Sequence, residues 1–412
     1  MIEKKINFDV NFIKSQFPIF KNKVWEKPLT YLDSAASMQK PNIVLQAISK
    51  SYTNEYSNVH RGLHYLSEIA TEKYETSRSK VAKFLNANEK EIIFTSGATA
   101  GINLVAYSWG IKNIKKDDEI IITIAEHHAN FVPWQYVTKI KDAKLKIVYF
   151  DPNKNFDIME IEKLITDKTK LIAFPHVSNV LGTIFPVKQI CSLAKRVGAV
   201  TLVDGCQGAI HFKVDVNDLG CDFYCFSGHK LYGPTGIGIL YGNYNLLDEM
   251  PPFLFGGDMI DQVKVEKTTF AEPPLKFEAG TPPFVEATAL GTAIDWIESI
   301  GLKEIEIHEK KVLNYGLEVL KSIKGVNIFG KSKNKAGVIS FTMDCAHSHD
   351  ISTIVDREGV SVRAGHHCAQ PLLDAFDIVS TTRASIGAYS KFEDFDILAD
   401  SLVKVKKIFG VK

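Results

Sequence analysis

The 412-residue chain is short of cysteine, methionine and tryptophan and carries no excess of either charge. Its six cysteines show no paired spacing, which argues against a disulfide framework and for a reducing compartment, the cytoplasm. Forty-nine basic residues against 48 acidic ones leave a net charge of +1, so nothing favours a nucleic acid or a membrane surface as partner. No apolar run is long enough to span a bilayer, and the opening residues 1–10 lack the apolar core of a signal segment. Repeats and low-complexity tracts are also missing. Lys-rich stretches such as residues 111–116 read as solvated faces. What the chain does have is length, which exceeds one ordinary domain and predicts two.

From about Tyr31 to Gly242, strand patterns alternate with helical ones, which predicts a helix-flanked, largely parallel sheet. Ligands collect beyond the carboxyl ends of the strands in such sheets. Four segments place chemistry there. Residues 198–207 form an apolar strand ending in Asp204, followed by a turn with Cys206 and Gln207. Residues 226–242 set Lys230 between His229, Tyr232 and a run of glycines, a setting that suits a Schiff-base lysine. Phe94-Thr-Ser-Gly97-Ala-Thr99 follows a short strand and opens a helix, offering backbone N–H groups and the Thr99 hydroxyl to an anion. Glu126-His127-His128-Ala-Asn130 follows another apolar strand, where a histidine could lie against a ring. Taken singly, the lysine reads more readily as a solvated loop residue, the aspartate as a turn or N-cap residue and the glycine segment as an ordinary helix cap. Together, a strand-end carboxylate, a lysine and a phosphate loop match the needs of pyridoxal phosphate.

The fifth segment is Val360-Ser-Val-Arg363-Ala-Gly-His366-His367-Cys368-Ala-Gln370-Pro371. A thiol beside an arginine and two histidines favours a thiolate nucleophile, whereas the other five cysteines read as buried and inert. No metal site is expected. His127 and His128 are neighbours expected on a strand, where adjacent side chains point to opposite faces. Cys221 with Cys225, and Cys345 with His347 and His349, lack a second ligand pair.

With Tyr31-Leu-Asp-Ser-Ala-Ala36, Asn58-Val-His-Arg-Gly62, His176-Val-Ser-Asn-Val-Leu-Gly182 and Ser227-Gly-His-Lys230 added, nearly the whole chain resembles a group II cysteine desulfurase of the SUF iron–sulfur assembly system. That group lies in the class V aminotransferase superfamily of fold type I pyridoxal-phosphate enzymes. The resemblance implies a large domain with a mostly parallel seven-stranded sheet and a smaller C-terminal α+β domain. The expected divisions are a segment 1–27 packing with the small domain, a cofactor-binding domain 28–290, and a domain 291–412 carrying the cysteine loop.

The resemblance also implies residue roles. Lys230 would hold pyridoxal 5'-phosphate covalently and shuttle the α-proton. Asp204 would pair with the pyridinium nitrogen, Gln207 with the phenolic oxygen, and His127 would stack on the ring and serve in catalysis. Thr99, Ser227 and His229 would bind the phosphate, with Thr281 from the other protomer of a homodimer. Asn179, Arg363 and Arg383 would hold the substrate, and Cys368 would take its sulfur as a persulfide. The pattern departs at Ala98, where a threonine is usual, and at Ser390, where an asparagine is.

The activity implied is conversion of L-cysteine to L-alanine, with sulfur passed through Cys368 to an acceptor protein that a buried persulfide would need. The competing readings are a selenocysteine lyase that need not use Cys368, and a non-catalytic cofactor-binding scaffold partner. Residues 251–283, rich in proline and glycine, read as a long loop at a dimer interface. A helical pattern then starts at Glu286, and Gly337-Val-Ile-Ser-Phe-Thr342 reads as a strand.

Overall fold

The computed structural model describes residues 8–411. Seven strands form the main sheet: β1 (Ile92–Thr95), β2 (Glu119–Thr123), β3 (Lys144–Val148), β4 (Thr169–Pro175), β5 (Val200–Asp204), β6 (Phe223–Ser227) and β7 (Gly238–Gly242). Their spatial order is β1-β7-β6-β5-β4-β2-β3. Only β7 runs antiparallel to its neighbours β1 and β6. The remaining pairs are parallel, so the carboxyl ends of β1, β2, β4, β5 and β6 open on one edge.

These strands are apolar at successive positions because both faces are covered. Ile120 and Ile122 join one core cluster, with Trp134 and Leu104 of the helices on that side. Ile121 joins the other, with Ile190 of helix Val187–Arg196 and Leu290 of helix Phe284–Ile300. Strands buried on both faces are what parallel crossover topology produces.

A second sheet takes the order Val326–Phe329, Val338–Met343, Thr381–Ser385, Arg363–Gly365, all antiparallel. Helices Leu302–Ser322, Ser348–Asp356 and Phe392–Ile408 supply its core through Val312, Ile351 and Leu398. The N-terminal residues pack nearby: Lys14 pairs with Asp394 at 3.2 Å, and Phe17 meets Tyr389 edge-on at 4.8 Å. Thr30–Tyr31 pairs in parallel with Val360–Ser361, which carries the following Asp33 to the second sheet.

Three expectations need correction. Residues 251–283 are not loop throughout: Ile260–Val263 and Thr268–Phe270 form an exposed hairpin, held by its ladder rather than by an apolar face. His127 and His128 lie on a turn rather than a strand, so strand alternation does not govern them. Cys345 is half-buried, unlike Cys191, Cys206, Cys221 and Cys225, because it sits in the turn after Val338–Met343. Among the described residues no helix is long and apolar enough to cross a membrane, and no trio of His, Cys, Asp or Glu is arranged to hold a metal.

Candidate active site

A cavity of about 420 Å³ opens where the carboxyl ends of the main sheet meet the second sheet. Lys230, Asp204, Gln207, Ser227, His229, Thr99, His127, Asn179, Arg363, Arg383 and Cys368 all border it. Their convergence follows from topology. Asp204 and Ser227 are the last residues of β5 and β6, Thr99 lies at the start of the helix Ala98–Leu104 that follows β1, His127 sits on the turn after β2, and Asn179 follows β4.

The phosphate end is built from backbone. Gly97 starts the helix Ala98–Leu104, and the Ala98 N–H donates to Ser227 Oγ at 2.9 Å. The close approach demands glycine on β7, since a Cβ on Gly238 would lie 2.4 Å from Gly97 Cα. The Lys230 turn is gripped by the N-terminal segment. The His229 carbonyl accepts from the Met38 N–H at 3.1 Å and from Lys40 Nζ at 2.7 Å. Burial pushes Lys40 down to about 8, and burial with Lys230 nearby pushes His229 down to about 4.

At the centre, Asp204 is 7% exposed and accepts the Cys206 N–H at 2.9 Å. Gln207 gives one amide hydrogen to the Ala35 carbonyl at 2.8 Å, which leaves its second hydrogen for a ligand. Its Oε1 is buried with no partner. His127 Nδ1 accepts the Ala129 N–H at 3.1 Å, which places the ring proton on Nε2. Burial, and then Lys230, pushes this histidine down to about 4, so it is neutral at pH 7.

The substrate end holds two guanidiniums. Arg383 is 2% exposed, donates to the Asn179 carbonyl at 3.0 Å and keeps Nε without a partner. Burial pushes it down to about 10, still charged at neutral pH. Asp33 pairs with Arg383 at 3.4 Å and with Arg363 at 2.8 Å. Asp33 has no role predicted from sequence, although it lies in the Tyr31–Ala36 motif that carries the resemblance, just after the short strand Thr30–Tyr31. Asn179 also gives its side-chain amide to the His367 carbonyl at 2.6 Å.

Cys368 is exposed at the mouth of the cavity, so in this chain alone a persulfide there would not be buried as expected. Thr281 does not border the cavity. It lies on a separate cleft with Phe94, Ser96 and Leu104, because the chain after β7 leads away from its own site.

The donor set fits pyridoxal phosphate: a helix start with hydroxyls for a phosphate, a buried carboxylate for a ring nitrogen, a spare amide hydrogen on Gln207 and an amine on Lys230. The comparisons agree. The aminotransferase class-V family profile matches residues 30–398. A probable cysteine desulfurase of Halalkalibacterium halodurans is 49% identical over 399 residues, covering 97% of this chain and 98% of that protein. One of Staphylococcus aureus (strain Mu50) is 48% identical over 406 residues, with 98% of each covered. Among solved structures, an Escherichia coli cysteine desulfurase superposes with a TM-score of 0.91 at 35% identity, over 97% of this chain and 99% of that one. The apo Thermococcus onnurineus cysteine desulfurase gives 0.92 at 37% identity, over 99% and 100%. The chain therefore belongs to the class-V aminotransferase family, with the fold type I architecture, and its cofactor is pyridoxal 5'-phosphate.

Proposed function

We propose that this chain is a cysteine desulfurase that takes sulfur from L-cysteine onto Cys368 and releases L-alanine. One observation carries the reading: an exposed thiol borders the same cavity as Lys230, Asp204 and Arg383. The near-full-length relatives named as cysteine desulfurases support it.

Pyridoxal phosphate, when bound, supplies the electron sink that lets the substrate Cα–H bond break. Asp204 would hold its ring nitrogen, Thr99, Ser227 and His229 its phosphate, and Lys230 its aldehyde carbon. Arg383, with Asn179 and Arg363, receives the substrate carboxylate; a planar guanidinium gives it two parallel bonds and fixes the amino acid's orientation. Lys230 Nζ takes the Cα proton. Neutral His127 offers its Nε2–H as a hydrogen-bond donor into the cavity and would lie against the cofactor ring. The Cys368 thiolate attacks the substrate sulfur, and the sulfur–Cβ bond breaks with its electron pair going to Cβ. Cβ takes up the proton that Cys368 lost on ionising, and Lys230 returns its proton to Cα. Atoms and electrons balance as Cys368 persulfide plus alanine.

The finer reading is a group II enzyme serving iron–sulfur assembly in the cytoplasm. The short Cys368 turn, tied down by Asn179, supports it. A protein acceptor would draw the sulfur from the exposed mouth. A homodimer is supported by Thr281 facing away from its own cavity and by exposed Leu63, Phe255 and Val265 on neighbouring loops joined by the Arg61–Asp258 pair. Two separate sheets support the division into 28–290 and 291–412 with an N-terminal segment 1–27.

The test is alanine and sulfide release from L-cysteine, with cofactor and reductant, in wild type and Cys368→Ala. Matched production lost in the variant is expected. Equal activity in both would favour the selenocysteine-lyase reading, and inertness towards every amino acid the scaffold reading.

A further inference from the structure

The turn that carries Cys368 is fastened to the turn that carries His127 by two bonds from one residue. The His128 N–H donates to the Cys368 carbonyl at 2.6 Å, and the His128 ring accepts the Gln370 N–H on Nε2 at 3.1 Å. The fastening has work to do. His367 and Cys368 sit consecutively at φ +52° and +56°, a left-handed conformation that side chains other than glycine adopt at a cost. Such a turn persists only when its surroundings hold it. Asn179 holds the His367 carbonyl, and Thr381 Oγ1 lies 2.8 Å from His367 Nε2. On the Cys368 side both bonds come from His128.

We infer that His128 is a positioning residue for sulfur transfer: its ring, through the Gln370 amide, keeps the Cys368 thiol registered against the His127 turn. This rests on the desulfurase reading. The Gln370 N–H directed at Nε2 makes that nitrogen the acceptor, and burial, with His366 nearby, lowers the ring from its ordinary value and so favours the neutral form. His128 does not border the cavity, so it acts through Gln370 and not on the substrate.

The experiment separates two half-reactions in the holoenzyme. Exchange of the L-alanine Cα hydrogen with deuterated solvent needs Lys230 and the cofactor but not Cys368. Persulfide formation from L-cysteine, read by alkylation and mass spectrometry, needs Cys368. His128→Leu keeps the bulk and removes the acceptor; His128→Gln offers an oxygen near the same place. In His128→Leu the Cα exchange should stay within about twofold of wild type while persulfide formation falls roughly tenfold, as for one lost hydrogen bond. His128→Gln should recover most of it. In cofactor-free protein, amide exchange in residues 366–373 should speed up for the leucine variant and not for glutamine.

Wild-type persulfide rates in His128→Leu, equal loss of both half-reactions, or no recovery with glutamine would each overturn the inference. Failure of the desulfurase reading looks different, since wild type would then exchange the Cα hydrogen yet form no persulfide. The amide-exchange comparison would still test the tie.

Discussion

Asp33 Oδ1 lies 3.4 Å from Arg383 Nη2 while its other oxygen lies 2.8 Å from Arg363, so one carboxylate serves two guanidiniums far along the chain. The two pairs differ in weight. The Arg383 side chain is 3% exposed and the Arg363 side chain 50%. A buried cation that loses its counter-charge costs about 3–5 kcal/mol, whereas a half-exposed pair is worth about 1 kcal/mol or less. Asp33→Asn should therefore cost about 3 kcal/mol in urea unfolding, and Arg363→Ala less than about 1 kcal/mol. Equal losses would mean that Arg383 is compensated by its bond to Asn179.

A second buried ion pair supports the phosphate loop from behind. Arg78 donates two parallel bonds of 2.8 Å to Glu278, which also accepts the Phe94 N–H at 2.7 Å and the Tyr74 hydroxyl at 2.8 Å. All three side chains are buried, and Phe94 lies on β1 just before the Gly97 turn. Glu278→Ala leaves a backbone N–H and a hydroxyl without partners, and leaves the buried guanidinium only the half-exposed Glu75 and the Ile92 carbonyl. The expected loss is about 3–5 kcal/mol by denaturant titration, and Glu278→Gln should lose less.

Gly238 presses β7 against the Gly97 turn. Gly238→Ala must separate Gly97 Cα from the new methyl group, which would otherwise sit at 2.4 Å, and so strains the 2.9 Å bond from Ala98 to Ser227. Overpacking of this kind costs about 1–3 kcal/mol. Pyridoxal phosphate should bind roughly tenfold more weakly, followed by the cofactor's visible absorbance on titration. Unchanged affinity would remove this corner of the cavity from the phosphate site.

Lys230, Asp204, Thr99 and His127 are legible in the sequence for a shared reason. Each follows a run of consecutive apolar residues that marks a strand buried on both faces, and polar residues where such a strand ends mark the ligand edge. Asp33 is not legible that way, because its partners stand 330 and 350 positions later and local pattern carries no such distance. Nor is the hairpin around residues 260–270, whose exposed Asp261, Gln262, Lys264 and Lys267 show no apolar alternation. The exposure of Cys368 belongs to the turn's left-handed backbone, which no residue type there announces.

Acid should weaken the cofactor-free protein before its carboxylates titrate. Burial is the first cause that pushes His127, His176 and His229 down to about 4 and His367 down to about 3. Unfolded, each would titrate near about 6.5. Between those values the unfolded chain binds more protons than the folded one, so stability rises with pH. The contribution is whole above about pH 6.5 and is lost as pH falls towards 4. Glu126, Asp222 and Asp394 oppose it, since burial raises their carboxyls and favours protons on the folded side. The four histidines outweigh these three carboxylates between pH 6.5 and 5.5, because the aspartates start from the lower ordinary value of 3.8. Each proton is worth about 1.4 kcal/mol per pH unit. Unfolding free energy measured at pH 7.5, 6.5 and 5.5 should be level over the first step and fall over the second. His176→Asn, which keeps a partner for the Tyr224 hydroxyl now 2.9 Å from Nδ1, should make that fall shallower by one proton. A level profile down to pH 5.5 would mean that these histidines are hydrated in solution.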